Sequence, residues 1–503
     1  MLKTLILLLP LLIKSTTARI GYFWHITDMH YDVNYTTLGD TSKMCWLGRQ
    51  TNGGVRRLQP GPFGDYSCDS PWALVKSAAD FMKKKHGDNI EFVLWTGDAG
   101  SHAASEPQKL LATMQNLTDL LRHTFSSQFV FPALGHGDVI GHHNHHHHGH
   151  PHAMTAHELY KNVADMWRFW LPSEALTSFQ KGGYYTIENK GNRLRLIILN
   201  TNLYVRRGGA SAPVRHPEAA ASSSPGADDD PSGQFEWLEM VLDKSLRRRE
   251  FVYVIGHAPP GADERGSSEG GPFQDKFNRR YLQIVRRYAN IIAGQFFGHL
   301  HSDTFRVIYN DLGEPVNWLM VAPSVTPWRP PSDSGNPGLR LFKYDTDSGQ
   351  ILDYTQFYLE LEEANQKGKA EWQPEYNLTT YYGLSEVTPR SLHRLAETFR
   401  HVADTELFER YVRATRVSTQ PATHSYSSYL DSSSSSGLVD LAGSQGCEGA
   451  CQRRHYCAVT RVAYPELQRC LRDDAVWSSR APPTLAAPPL LLLLALTPLL
   501  TSR

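Results

Sequence analysis

Neither sign of charge prevails in this sequence: 51 Lys and Arg residues balance 51 Asp and Glu. That absence excludes the basic surface with which a protein holds a nucleic-acid polymer. No apolar run reaches the ~20 residues that a bilayer-spanning helix needs, so a membrane-embedded chain is excluded too. Internal repeats are also missing, which excludes a solenoid or propeller. With 503 residues, 41% of them hydrophobic and 20% charged, a folded globular chain of one large domain plus an appendage is expected.

Short apolar runs do mark both ends. Lys3 precedes an apolar stretch at 5–13, and Thr16-Thr17-Ala18 supplies the small residues of a cleavage site. This pattern predicts a secretory signal peptide over 1–18. At the other end, 490–500 is apolar, is interrupted by Pro498, and leads into Thr501-Ser502-Arg503. A Pro/Ala-rich spacer at 482–489 separates it from Ser478, Ser479 and Ala481. Small residues, spacer and short tail predict a glycosylphosphatidylinositol (GPI) attachment signal, with 480–503 as its propeptide. Ser479 is the predicted attachment residue, because attachment at Ser478 would put Arg480 where a small residue is wanted. The expectation is a protein on the outer face of the plasma membrane. The even set of cysteines (Cys45, Cys68, Cys447, Cys451, Cys457 and Cys470) then implies disulfides, whose pairing the sequence alone leaves open. Sequons predict glycans on Asn34, Asn116 and Asn377.

Over 19–360 short apolar runs alternate with helical stretches. The runs at 20–26, 91–95, 128–134, 194–199, 251–255 and 291–297 suit buried strands. Helices are expected at 71–85, 106–122, 156–171, 234–246 and 273–289, giving an α/β domain with a central sheet. Residues 206–231, rich in Ala, Ser, Gly, Pro and Asp, read as a flexible insertion. A second, C-terminal region is expected over 361–477. It comprises a helical stretch at 384–417, a Ser-rich segment at 425–446 and a cysteine-bearing cap at 446–477.

The chemistry follows the strands. After the first run come Asp28 and His30, as D-x-H; after the second, Gly97-Asp98. The third delivers Gly135-His136-Gly137-Asp138. The last two deliver Gly256-His257 and Gly298-His299-Leu300-His301. In open α/β sheets, ligands bind beyond the carboxyl ends of strands. Carboxylates and imidazoles suit divalent ions such as zinc, and a pair of ions can clamp a phosphate. Each motif alone is ordinary surface or core; the ordered set is not.

That order of motifs resembles the calcineurin-like metallophosphoesterases, and within them the acid sphingomyelinase branch. "FWHITDMHYD", "LWTGDAGSH", "GQFEWLEMVL", "VIGHAPPG" and "FFGHLHSDTF" carry the resemblance, which extends from about Arg19 to Cys470. The D-x-H begins too early for the saposin domain that precedes the catalytic domain of acid sphingomyelinase. The resemblance is therefore to the acid sphingomyelinase-like phosphodiesterases, and the GPI signal points to their b-type. It implies an α+β sandwich of central β-sheets flanked by helices, with a small, disulfide-stapled helical C-terminal region. It also implies the pairs Cys447–Cys451 and Cys457–Cys470, leaving Cys45–Cys68.

The resemblance further implies two zinc ions. One would be held by Asp28, His30, Asp98 and His301. The other would be held by Asp98, His257, His299 and the residue at 136. It implies in-line attack on phosphorus by a metal-bridged hydroxide, with His102 assisting the leaving group. The implied substrates are small phosphodiesters or nucleotides, such as CDP-choline or nucleoside di- and triphosphates. An influence on membrane lipid composition and innate-immune signalling is implied as well. A monomer with no nucleic-acid polymer as partner is expected.

One loop departs from the family pattern. Where the family has G-N-H-D, this sequence has Gly135-His136-Gly137-Asp138. His136 replaces an asparagine ligand and can still bind a metal; Gly137 replaces a second catalytic histidine and cannot act through a side chain. Asp138 is expected to orient a neighbouring imidazole. Three readings follow: an impaired enzyme helped by the histidine tract at 142–152, a metal-binding protein without turnover, or an enzyme that tolerates the change.

Overall fold

The apolar runs become strands because Val, Ile, Leu and Phe dominate them and are buried on both faces, as parallel sheets require. The structure is a computed structural model. It describes residues 19–48, 59–87, 89–103, 106–139, 154–189, 191–206, 229–265, 270–329, 335–400, 405–418 and 447–473. The expected signal peptide (1–18), the histidine tract at 142–152, nearly all of the 206–231 insertion, the Ser-rich segment, Ser479 and the 480–503 tail lie outside the described residues.

The strands are β1 (Ile20–Ile26), β2 (Phe92–Trp95), β3 (Phe129–Pro132), β4 (Tyr185–Asn189), β5 (Leu194–Ile198), β6 (Phe251–Ile255), β7 (Ile292–Phe297), β8 (Thr304–Tyr309), β9 (Pro315–Val321), β10 (Gly338–Asp345), β11 (Ile351–Tyr358) and β12 (Gln373–Asn377). They form two six-stranded sheets, ordered β12-β11-β10-β1-β2-β3 and β4-β5-β6-β7-β9-β8. Each sheet has a parallel part: β1-β2-β3 at one end of the first, followed by antiparallel β10, β11 and β12, and β5-β6-β7-β9 in the middle of the second, edged by antiparallel β4 and β8. The sheets pack face to face through aromatic side chains. Phe23 of β1 lies 5.8 Å from Tyr253 of β6 and 5.4 Å from Phe296 of β7, centroid to centroid.

The helices are α1 (Trp72–His86), α2 (Pro107–Thr124), α3 (Ala156–Trp167), α4 (Ser173–Gly182), α5 (Gln234–Arg248), α6 (Asp275–Arg287), α7 (Leu361–Lys367), α8 (Leu378–Tyr382), α9 (Pro389–Thr398), α10 (Thr405–Thr415), α11 (Ala450–Thr460) and α12 (Tyr464–Arg472). Apolar faces of α5 and α6 (Leu238, Leu242, Tyr281, Val285) cover Ile197, Val252 and Phe297 on the outer side of the second sheet. Past residue 360 the chain first completes the first sheet with β12 and then lays α9, α10 and α11 against β8 and β9. A buried ion pair holds that contact. Arg306 of β8 donates to Glu264 at 2.5 Å, and Tyr411 of α10 donates to the other oxygen of the same carboxylate at 3.0 Å. The disulfides are Cys45–Cys68, Cys447–Cys451 and Cys457–Cys470, the pairs that the resemblance implies.

Register decides where the chemistry goes. Ile26, Trp95 and Pro132 end β1, β2 and β3 at one level, and Ile198, Ile255 and Phe296 are level in the second sheet. The loops that follow therefore emerge at one edge of the sandwich.

The single central sheet read from apolar runs becomes two sheets. Five of the strands the runs did not reveal, β8 to β12, are antiparallel to a neighbour, and several bury polar groups that interrupt the apolar pattern. Arg340 of β10, for example, is fully buried, ion-paired to Asp303 and hydrogen-bonded to Gln356 of β11 at 3.0 Å. The helical stretch at 384–417 resolves into α9 and α10, and α4 follows α3 where no separate helix was expected.

Candidate functional site

Five of the six strongest ligand candidates have a left-handed backbone: Asp28 (φ 50°), His30 (40°), Asp98 (56°), His299 (69°) and His301 (51°). Non-glycine residues seldom adopt this region, and such strain collects at functional sites. Here it follows from sharp turns directly after strands. Gly97 (φ 95°) and Gly135 allow those turns to touch. A Cβ on Gly97 would stand 2.2 Å from the Gly135 nitrogen, and one on Gly135 would stand 1.9 Å from the Asp98 nitrogen. The loops are laced together: Asp28 N–H donates to the Gly97 carbonyl and His30 N–H to that of Asp98, both at 3.0 Å.

The side chains converge. Asp28 and His257 are completely buried, and His30, Asp98 and His301 nearly so. Asp98 Oδ2 lies 3.3 Å from His30 Nε2 and 3.2 Å from His257 Nε2, while Asp28 Oδ1 lies 3.3 Å from His301 Nε2. Ligand atoms of Asp28, His30 and Asp98 lie within 4.8 Å of one another, as do those of Asp98, His257 and His299. Asp98 belongs to both groups.

The imidazoles are pre-oriented. Nδ1 of His30 bonds the Gly100 carbonyl (2.9 Å), that of His257 the Thr96 carbonyl (2.7 Å) and that of His301 the Trp328 carbonyl (3.0 Å). Each bond fixes the tautomer and turns Nε2 inward, as ligating histidines require. Asp28 Oδ1 and His30 Nε2 are buried and make no hydrogen bond. Two carboxylates, several imidazoles and inward atoms left for a ligand fit a pair of divalent cations.

Electrostatics agree. Burial opposes ionisation of Asp28, but the imidazoles of His301 and His257 hold its carboxyl well below the usual range. Asp98 is likewise held low, against burial, by His257 and His30. In return, and again against burial, Asp98 and Asp28 push His257 up to about 9, and Asp98 and Asp28 push His30 well above its ordinary value. His299 and His301 are driven down by burial. Without a cation the site thus balances two carboxylates with two protonated imidazoles.

His136 is half-buried, its ring centroid 5.6 Å from that of His299. Among the described residues it joins none of the groups within 4.8 Å. Among the described residues Asp138 bonds no imidazole, contrary to expectation. It accepts from the N–H groups of Asp98 (3.0 Å), Ala99 (2.8 Å) and Gly135 (2.8 Å) and so clamps two loops together. A carboxylate next to three amide donors is satisfied by the backbone. Gly137 keeps one role: its N–H donates to Asp98 Oδ1 at 2.7 Å.

His102 stands at the rim, stacked on His30 with centroids 3.8 Å apart and with Trp328 at 4.3 Å. Its side chain is 29% exposed. Asp69, which the sequence reading missed, bonds His102 Nδ1 at 2.9 Å and accepts from the His102 N–H at 2.8 Å. Burial would raise the Asp69 carboxyl, but His102 brings it down to about 2. Asp69 also accepts from Ser101 and Thr326. The sequence signal was its place beside Cys68, whose bridge to Cys45 ties down this loop. Of the sequon residues, Asn34 is exposed in the loop after β1, Asn116 is exposed on α2, and Asn377 is exposed at the end of β12.

Cation binding must expel the protons on His30 and His257. Metal affinity of metal-free protein is therefore expected to rise with pH through neutrality up to about 9. Titration calorimetry in buffers of different ionisation enthalpy should find about two protons released in all when both ions bind. Asp98→Ala should lose both ions by elemental analysis, and His301→Ala only one. Metal uptake without proton release would contradict this charge balance.

Comparison with known proteins is consistent with this geometry. The family model for calcineurin-like phosphoesterases matches residues 21–303, and that for the acid sphingomyelin phosphodiesterase C-terminal region matches 314–426. A cyclic GMP-AMP phosphodiesterase of Bos taurus is 36% identical over 473 residues, 92% of this chain and 94% of the relative. The acid sphingomyelinase-like phosphodiesterase 3b of Mus musculus is 33% identical over 464 residues, 90% of each. A sphingomyelinase phosphodiesterase C of Dictyostelium discoideum is 32% identical over 75% of this chain and 82% of its own. The chain belongs to the calcineurin-like metallophosphoesterases and, among them, to the acid sphingomyelinase-like phosphodiesterases, which are phosphoric diester hydrolases.

Proposed function

We propose that this protein is a zinc-dependent phosphodiesterase of the cell surface. Its substrates would be small phosphodiesters and nucleotides of the CDP-choline or nucleoside di- and triphosphate type, and its action would influence membrane lipid composition. One observation carries the reading: Asp98 is shared by two largely buried donor groups directly beside the His102–Asp69 pair. Asp28, His30, Asp98 and His301 would hold one ion; Asp98, His257, His299 and His136 would hold the other. When bound, such ions neutralise the phosphate oxygens and make water more acidic.

The chain's own groups do the rest. Asp69 takes the Nδ1–H of His102, so Nε2 faces the site and can give its proton to the leaving oxygen. With His136 assigned to a cation, the G-H-G-D loop supplies no second imidazole for proton transfer. This favours an alternative reading, a surface protein that keeps the metals but has lost most turnover. Space does not enforce the loss, for a Cβ on Gly137 would stand 3.5 Å from Asp98 Oδ1, an ordinary contact.

Three tests follow. Asp69→Asn should lower kcat by about 10²–10³-fold with metal content unchanged, since a positioned acid is worth ~10²–10⁴-fold. An unaltered kcat would remove His102 from catalysis. The double substitution His136→Asn and Gly137→His should raise kcat about 10- to 100-fold with little change in KM, as expected of a group acting in the transition state. Fully metallated double variant with no gain would show that Gly137 is not the limiting defect. Anchoring at Ser479 should make the cell-surface protein releasable by phosphatidylinositol-specific phospholipase C. A mature mass that still includes 490–500 would exclude it.

A further inference from the structure

Tyr31 forms a ridge with Trp72, their rings 5.1 Å apart, between two hollows beside the site. One, of about 470 Å³, is bordered by Val33, Trp46 and Leu47. The other, of about 490 Å³, is bordered by Trp72 and Leu120. Val33 (50%), Leu47 (73%) and Trp72 (38%) are among the most exposed large apolar side chains of the described surface. A cluster of this kind marks a contact surface.

Each hollow has an asparagine in its wall, and both belong to sequons: Asn34 in the first, Asn116 in the second. Both are exposed, and among the described residues neither side-chain amide makes a hydrogen bond. The third sequon differs. Asn377 borders neither hollow and donates through Nδ2 to Thr355 at 3.1 Å. His102 and the ligand candidates border neither hollow, which separates this surface from the phosphate chemistry.

We propose that the hollows seat the chain's own N-glycans. The first N-acetylglucosamine on Asn34 lies against Trp46 and Tyr31, and that on Asn116 against the Tyr31–Trp72 ridge. In forming each link, the asparagine amide nitrogen loses a proton and bonds the anomeric carbon of a lipid-pyrophosphate-linked oligosaccharide, whose lipid pyrophosphate departs. A pyranose ring offers one face of C–H groups, which packs on an aromatic face, and hydroxyls around its edge, which suit the polar rim of Lys109, Glu106 and Asp119. The glycan thus covers apolar surface that would otherwise face water, and its role is structural as well as solubilising.

The test uses full-length protein purified from cells that make only high-mannose glycans. Glycopeptide mass spectrometry should find both Asn34 and Asn116 occupied. Trimming every glycan to one sugar should leave Tm unchanged. Blocking attachment with Asn34→Gln or with Thr36→Ala, which keeps the asparagine, should lower Tm by about 1–3 °C and increase binding of a hydrophobic dye. The Asn34→Gln effect should vanish in a Trp46→Ala background, or in Leu47→Ser if Trp46→Ala does not fold. Unoccupied asparagines would overturn the proposal, as would a blocked sequon that changes neither Tm nor dye binding. Blocked sequons that leave Tm alone but lower KM several-fold would overturn it in favour of a substrate subsite. Neither Tm nor dye binding depends on turnover, so a failed phosphodiesterase assay leaves this test intact.

Discussion

Two carboxylates and three imidazoles are taken out of water together at one edge of the sandwich, with His299 half-buried beside them, and burying that many ionisable groups is tolerated only if their charges match. Asp28 and Asp98 satisfy the condition by drawing protons onto His30 and His257. The arrangement is costly in backbone terms, since left-handed non-glycine residues carry about 1–3 kcal/mol each. It persists because the loops over-determine it: Asp138 takes three amide protons, Gly137 gives one to Asp98, and His299 N–H donates to Asp28 at 2.9 Å. A set of groups this strained and this buried is built for ions that replace the two protons.

The same constraint explains the loop that departs from its family. Gly137 has lost a side chain, but its N–H still holds Asp98 Oδ1, so the substitution leaves the carboxylate in place. What it removes, under the proposed mechanism, is a second imidazole able to pass a proton. His102, the proposed donor, is held by Asp69 and packed between His30 and Trp328. On the proposed roles the site is asymmetric: Asp28, His30, Asp98, His257, His299 and His301 gather as candidate ligands, while one proton-moving side chain is missing from the loop.

The parallel parts of both sheets were legible in the sequence, because strands buried on both faces must be continuous apolar runs, and the glycine-led turns after them pointed to the ligands. Asp28, His30, Asp98, His257, His299 and His301 come together as those turns led one to expect. The antiparallel strands were not legible, since β10 and β11 bury Arg340 and Gln356 against each other and so read as mixed polarity. Asp69 was hard to read for another reason. It ends no apolar run and follows no glycine, and its meaning lies in a contact with a residue 33 positions away. Asp138 was legible as retained but not as a clamp, because its partners are main-chain amides that no side-chain pattern reveals.

The central claim is that Asp98 lies between two cations. Anomalous diffraction from crystals of the secreted protein, collected on both sides of the zinc absorption edge, tests it most directly. The account predicts two peaks about 3.5–4 Å apart, one beside Asp28, His30 and His301, the other beside His257 and His299, with the Asp98 carboxylate between them. A single peak, or zinc bound away from Asp98, would contradict it.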